Sequence, residues 1–160
     1  MTYLQDGQAH DRWMREAHRL AVQAQEAGEV PVGAVVVHAG RLVGAGFNQP
    51  IRTTDPTAHS EIMALRDAAR TLGNYRLSGA TLYATVEPCL MCAGALVHAR
   101  IATLVYGAPE LRAGAVQSVM RALDHPSFNH RVLVVSGVLE AECRALIQEF
   151  FLDRRSAVAP

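Results

Sequence analysis

Four side chains in two short runs could do chemistry together. His59-Ser60-Glu61 and Pro88-Cys89-Leu90-Met91-Cys92 each stand where a loop runs into the start of a helix. Proline suits the opening turn of a helix, because its missing N–H would have no intrahelical partner there. Cys89 and Cys92 are three positions apart, so a helical turn points both sulfurs the same way. The partial positive charge of a helix N-terminus favours thiolates over thiols. Two thiolates and an imidazole are a donor set suited to Zn²⁺. A closed structural site wants a fourth protein ligand. The third cysteine, Cys143, falls on the apolar stripe of the last helix and reads as core. The other histidines stand at no ligand spacing, so the fourth position falls to water, as in a catalytic site.

Glu61 turns a metal site into a reaction. Two positions beyond His59, it is poorly placed to bind the same ion, yet its carboxylate can reach a water there. Zinc brings the pKa of such a water toward about 7, and a neighbouring carboxylate can pass the proton on to a leaving group. The bland alternative is a solvated first-turn glutamate that only complements the helix dipole.

These residues need a scaffold, and hydrophobic periodicity supplies one. Trp13, Ala17, Leu20, Ala21 and Ala24 repeat at helical spacing up to Ala27-Gly28. Residues 32–37 (VGAVVV) form a continuous apolar run, which reads as a strand buried on both faces. A turn at His38-Ala39-Gly40 leads into a second strand over residues 41–47, then a loop over 48–56. A helix is expected from near Thr57 to Gly73, a strand over 80–86, a helix through Leu96 and Val97, and a strand over 101–106. A Gly/Ala-rich loop (107–117) precedes a short helix expected over 116–123 and a strand at 131–135. The last helix carries Leu139, Cys143, Leu146, Ile147, Phe150 and Phe151. The order predicts a three-layer α/β/α domain, its third and fourth strands parallel through a right-handed crossover. One domain spanning 1–160 is expected, ordered over about 10–155 and frayed outside it.

His-x-Glu followed by Pro-Cys-x-x-Cys resembles the signature of the zinc-dependent nucleobase deaminases, whose chemistry is that of a flipped-out base. Within that superfamily the likeness is to the bacterial tRNA-specific adenosine deaminases, and it runs from about Trp13 to Arg155. Its supporting segments include Glu29-Val30-Pro31-Val32-Gly33-Ala34, Asn48, Asp55-Pro56-Thr57-Ala58-His59, Asn74-Tyr75-Arg76-Leu77, Glu87-Pro88-Cys89, Met91-Cys92-Ala93-Gly94-Ala95, Asn129-His130-Arg131 and Phe150-Phe151. The resemblance implies a cytidine-deaminase-like fold with a five-stranded mixed sheet, and a homodimer. It implies His59, Cys89 and Cys92 as ligands of one Zn²⁺ per subunit, with Glu61 as proton shuttle. It further implies Asn48 as a polar contact to the flipped nucleotide, Val30 and Ala58 as pocket lining, and Glu110, Arg154 and Arg155 as contacts to the tRNA anticodon stem-loop. The chain departs from the family pattern at Ser60, where alanine is usual, and at Pro109, Glu110 and Leu152, where a basic residue, an aspartate and a basic residue are expected.

Composition bounds the rest. The 160 residues hold 15 arginines, no lysine and 15 acidic groups, for a formal net charge of zero, which disfavours a strongly basic, whole-surface nucleic-acid binder. A local patch remains open, since arginine suits both phosphate and base stacking. No signal-peptide pattern opens the chain, and the longest apolar runs are about six residues, so a cytoplasmic protein without a membrane span is expected. Two other readings stay open on sequence grounds: a deaminase of a free base or nucleoside, and a silent zinc module.

Overall fold

The computed structural model describes residues 2–158. Residue 1 and residues 159–160, part of the termini expected to fray, lie outside the described residues. Helix α1 (Thr2–Glu26) leads into strands β1 (Gly33–His38) and β2 (Arg41–Phe47). A short helix α2 (Pro50–Thr53) and helix α3 (Ser60–Leu72) follow, then β3 (Thr81–Val86), α4 (Leu90–His98), β4 (Thr103–Ala108), β5 (Leu133–Ser136) and α5 (Glu140–Val158). The five strands form one sheet in the order β2-β1-β3-β4-β5. Strand β1 is antiparallel to β2 and β3, whereas β3–β4 and β4–β5 are parallel, so the sheet is mixed, as expected.

The alternation of side chains along each strand divides the core into two layers. Ala34 and Val36 of β1, Leu82 and Ala84 of β3, and Leu104 and Tyr106 of β4 pack on α3 and α4 through Ala64, Leu65, Ala68, Leu96 and Val97. Val35, Val37, Tyr83 and Val105 face the other way, onto Met14, Ala17 and Leu20 of α1 and Cys143 of α5. Cys143 is 1% exposed, a core residue as its stripe position indicated. The β1–β2 hairpin closes through Ala39 and Gly40 with φ of 49° and 72°, the positive values a type I′ turn requires at both central positions.

Four expectations are corrected. Residues 50–53 of the expected loop form helix α2, because Glu29 accepts the Ile51 and Arg52 N–H groups. Helix α1 begins well before Trp13: residues 6–12 (DGQAHDR) carry no apolar period, but His10 Nδ1 lies 2.9 Å from the Tyr83 hydroxyl and ties this turn to the sheet. The region 116–123 is not a helix. It is a series of turns closed by a single 3₁₀ turn at Ala122–Asp124, because the peptide N–H groups of 116–118 bond to a side chain from outside the segment. Helix α5 continues past 155 to Val158.

Glycines in β2 set how closely α3 approaches, and hence where its first turn sits. A methyl group on Gly46 would lie 2.6 Å from the Ala64 nitrogen and 2.7 Å from the Ser60 carbonyl oxygen. Gly46→Ala is therefore expected to destabilise by about 1–3 kcal/mol and to weaken zinc retention, because the clash pushes on the turn that carries His59. Urea denaturation and metal content measure both; a loss below about 0.5 kcal/mol, the size of an ordinary surface change, would show that this contact does not set the spacing.

Candidate active site

Helices α3 and α4 begin at the same place. His59 is the N-cap of α3 and Cys89 the N-cap of α4, both extended, at φ −69°, ψ 154° and φ −74°, ψ 175°. Each carbonyl opens its helix, accepting from Met63 N–H at 3.0 Å and from Ala93 N–H at 2.8 Å. Neither side chain caps its own helix, so imidazole and thiol are free to face each other. The orphan N–H of Ser60 is satisfied instead by Asn48 Oδ1 at 2.8 Å. One turn into α4, Cys92 brings the second sulfur and is fully buried.

His59 Nδ1 lies 3.6 Å from Cys89 Sγ and 3.7 Å from Cys92 Sγ. The three donor atoms all fall within 4.8 Å of one another. A tetrahedral zinc with bonds of about 2.0–2.1 Å to nitrogen and 2.3 Å to sulfur sets its N and S donors roughly 3.6 Å apart. The trio fits the ion in donor type and spacing. Among the described residues no further His, Cys, Asp or Glu offers a ligand atom to this cluster.

The protonation chemistry of the trio suits the same ion. The hydrogen bond from the Cys92 thiol, with that from His59, outweighs burial and pulls Cys89 down to about 4. Its partner Cys92 is held far above the ordinary thiol range, by donating to Cys89 and by burial. The hydrogen bond with Cys89 raises His59 against the cost of its desolvation. Two helix N-termini converge here and favour the negative charge of this group.

Glu61, in the first turn of α3, is 4% exposed. It is not the solvated, dipole-complementing residue of the bland alternative. Burial pushes its carboxyl up, opposed by its own backbone N–H, His59 and the Ser60 hydroxyl. The fully buried Ser60 donates to Glu61 Oε2 at 3.0 Å, so the residue that departs from the usual alanine orients the carboxyl.

The surrounding loops are tied to this centre. Asp55 accepts from the Thr57 N–H and hydroxyl at 2.8 and 2.7 Å and pairs with Arg66 at 3.5 Å, fixing the approach to His59. Ala58 is fully buried beside His59, and its carbonyl accepts from Gln49 N–H at 3.0 Å. Val30 is half-buried on the loop after α1; its neighbour Glu29, 2% exposed, accepts the N–H groups of Ile51 and Arg52 at 3.3 and 2.7 Å and so joins this loop to α2. Glu110, Arg154 and Arg155 line one groove of about 1020 Å³ between residues 108–113 and α5, together with Arg112, Arg144 and Phe151. Arg154 also donates to the Gly28 carbonyl at 2.6 Å and stacks over Phe150 at 4.6 Å, so part of its guanidinium serves the end of α1. Glu110 Oε1 accepts from Arg112 N–H at 2.8 Å, which turns the loop.

Sequence reasoning gave no role to the two buried glutamates, Glu29 and Glu87. Glu87 is 3% exposed, and although burial raises its carboxyl, hydrogen bonds from Gln117, Ser118 and Glu110 outweigh it and hold the group below the usual range. A charged residue beside Pro88 was the available signal, but a linear pattern does not show which backbone it will meet.

Three protein donors with a buried carboxylate alongside define a hydrolytic zinc enzyme rather than a closed structural site. The family model for the cytidine and deoxycytidylate deaminase zinc-binding region matches residues 7–108, and the chain belongs to this family. The tRNA-specific adenosine deaminase of Haemophilus influenzae is 48% identical over 146 residues, 91% of this chain and 84% of the relative. The enzyme of the same description from Bacillus subtilis is 43% identical over 89% of each chain. A structure from biochemical and structural studies of A-to-I editing by tRNA:A34 deaminases at the wobble position of transfer RNA aligns with a TM-score of 0.82. It is 43% identical to this chain and covers 84% of it and 98% of its own length. The protein is a zinc-dependent hydrolytic deaminase with the cytidine-deaminase-like fold.

Proposed function

We propose that the chain deaminates adenosine to inosine at the first anticodon position of a tRNA, consuming one water and releasing one ammonia. The carrying observation is the convergence of His59, Cys89 and Cys92 on one point beside the buried Glu61; the relatives supply the substrate. In this reading His59 Nδ1 and the two sulfurs hold the zinc, which when bound supplies the Lewis acidity that lets water ionise near neutral pH. Glu61 accepts the proton released from that water, delivers it to a ring nitrogen of the adenine and then helps protonate the departing amine. The Ser60 hydroxyl on Oε2 keeps the carboxyl in one rotation. Asn48 has its carbonyl oxygen engaged by Ser60, so its amide N–H groups are the part offered to the nucleotide. Val30 and Ala58 are assigned to the walls of the base pocket.

Glu110, Arg154 and Arg155 are assigned to the anticodon stem-loop, in the groove they share. A loop nucleotide is already weakly stacked, so extruding it costs less than flipping a base from a duplex. Four arginines line the groove, which supports a local footprint on a chain of zero net charge. Residues 1–160 act as one catalytic unit in this reading, as a homodimer in the cytoplasm. Exposed Leu90, Val119 and Met120, at 56%, 50% and 42%, offer apolar surface for a second copy. Among the described residues no helix is long and apolar enough to cross a membrane.

Incubation with an anticodon stem-loop carrying adenosine at its first anticodon position is expected to release ammonia and leave inosine. Free adenosine, cytosine and guanine are expected to yield none. Ammonia from a free base alone would reject the tRNA reading and leave the deaminase chemistry standing.

A further inference from the structure

Glu87 directly follows the last residue of β3, Val86, and stands two residues before Cys89. No cation pairs with it among the described residues. Five donors from one loop meet it instead. Oε1 accepts the N–H groups of Val116, Gln117 and Ser118 at 3.1, 2.7 and 2.9 Å. Oε2 accepts Glu110 N–H at 3.1 Å and the Ser118 hydroxyl. The loop lies directly on the carboxylate: a Cβ on Gly114 would stand 2.5 Å from Glu87 Cδ and Oε2. A further tie joins Ala115 N–H to the Pro88 carbonyl at 2.9 Å. The same loop presents Glu110 and Arg112 to the groove on its outer side.

One buried carboxylate thus connects the metal motif on one side to the wall of the groove on the other. Charge-assisted hydrogen bonds are stronger than neutral ones, and a carboxylate holding several peptide N–H groups fixes their relative positions. A displaced wall would lose part of its contact with the bound strand, and so binding energy shared by ground and transition states, even with the metal centre intact.

We propose that Glu87 is a positioning residue for RNA recognition: it ties the loop of residues 110–118, whose residues 110–113 wall the groove, to the metal motif. This rests on the tRNA reading above. Glu87→Gln is the sharp test. With its amide oxygen in the Oε1 position it keeps the three bonds to 116–118, and its NH₂ then opposes the Glu110 N–H and releases that arm.

Glu87→Gln is expected to retain one zinc per chain and to raise KM for the stem-loop about tenfold, with kcat within about threefold of wild type. Hydrogen exchange should accelerate at the amide of residue 110 ahead of 116–118, with the first turn of α4 unaffected. Glu87→Ala should release all five donors and raise KM further; if it fails to fold, Glu87→Gln decides alone. An unchanged KM with a lowered melting temperature would reduce Glu87 to a structural role and overturn the proposal. Loss of zinc with collapse of kcat would overturn it too, by placing Glu87 in service of the ligands. Wild-type protein inactive on the stem-loop would sink the substrate reading, and the RNA role of Glu87 with it. Active wild type with an unaltered variant sinks the proposal alone.

Discussion

Glu61→Ala is expected to bind one zinc per chain and to deaminate the stem-loop about 10²–10⁴-fold more slowly, the range a positioned acid–base group supplies. The two halves of that result separate the roles. A carboxylate that ligated the metal would take zinc away with it; one that only complemented the α3 dipole would leave the rate alone and cost about 0.3–1 kcal/mol of stability. The structure opposes the dipole role, because Glu61 is 4% exposed and turned toward Ser60 and the metal trio, not toward solvent. Its burial also predicts the sign of the stability change. Removing a carboxyl whose charged form is penalised by desolvation relieves a cost, so the melting temperature should stay level or rise as activity falls. Metal content, kcat and thermal melting on the one variant test all three statements. Retention of more than a few per cent of the wild-type rate would show that another group moves the proton.

The site depends on two crossings of the fold at one end of the sheet. Both α3 and α4 lie on the same face, packed against Ala34, Val36, Leu82 and Leu104, so their N-termini can converge although His59 and Cys89 are far apart in sequence. The His59 side chain is released from capping duty because Asn48 satisfies the Ser60 N–H at the start of α3, and the loop before α4 is fixed separately by Ala115 N–H on the Pro88 carbonyl. The buried residues near the metal therefore form a layered support. Ser60 holds Glu61, Asn48 holds Ser60, and Glu29 joins the Val30 loop to the short helix that follows Asn48. Such outer partners keep reacting groups within the small tolerances catalysis requires.

What could be read from the chain was what repeats or is chemically distinctive. The run at 32–37 has side chains that alternate between two cores, so its continuous apolarity identified a strand buried on both faces. The ligand trio was legible because thiols, an imidazole and a proline at helix starts have few other uses in that order. Boundaries set by tertiary contacts were not. The opening turns of α1 have no apolar period and are tied to the sheet through His10 and Tyr83. The segment 116–123 has residues compatible with a helix, but its N–H groups are claimed by Glu87, a partner nearly thirty positions away. The short helix α2 was expected to be loop; its first N–H groups are capped by Glu29, again a distant side chain. The groove was half legible: Glu110, Arg154 and Arg155 could be named, but not the bond of Arg154 to Gly28 that constrains it.

Cys89→Ala and Cys92→Ala are each expected to bring zinc content to background and activity below detection, with Cys143→Ala as the contrast that keeps the metal. The three thiols differ by position, not by type. Cys89 and Cys92 face His59 Nδ1 at 3.6 and 3.7 Å, whereas Cys143 is buried against Gly107 on the opposite layer, where burial pushes its thiol up to about 12. Losing the metal also removes a ligand that binds only the folded chain, which at a free zinc concentration a thousandfold above Kd is worth about 4 kcal/mol. Both site variants should therefore melt well below wild type, and a chelator should lower wild type toward them while leaving them unmoved. Cys89 gives an independent readout. It is only half-buried and carries the low-lying thiolate, so alkylation should reach it in chelated wild type and spare it in the zinc-loaded protein. Full zinc in either site variant, or equal alkylation with and without the metal, would remove these two sulfurs from the ligand set and leave Glu61 with no activated water to serve.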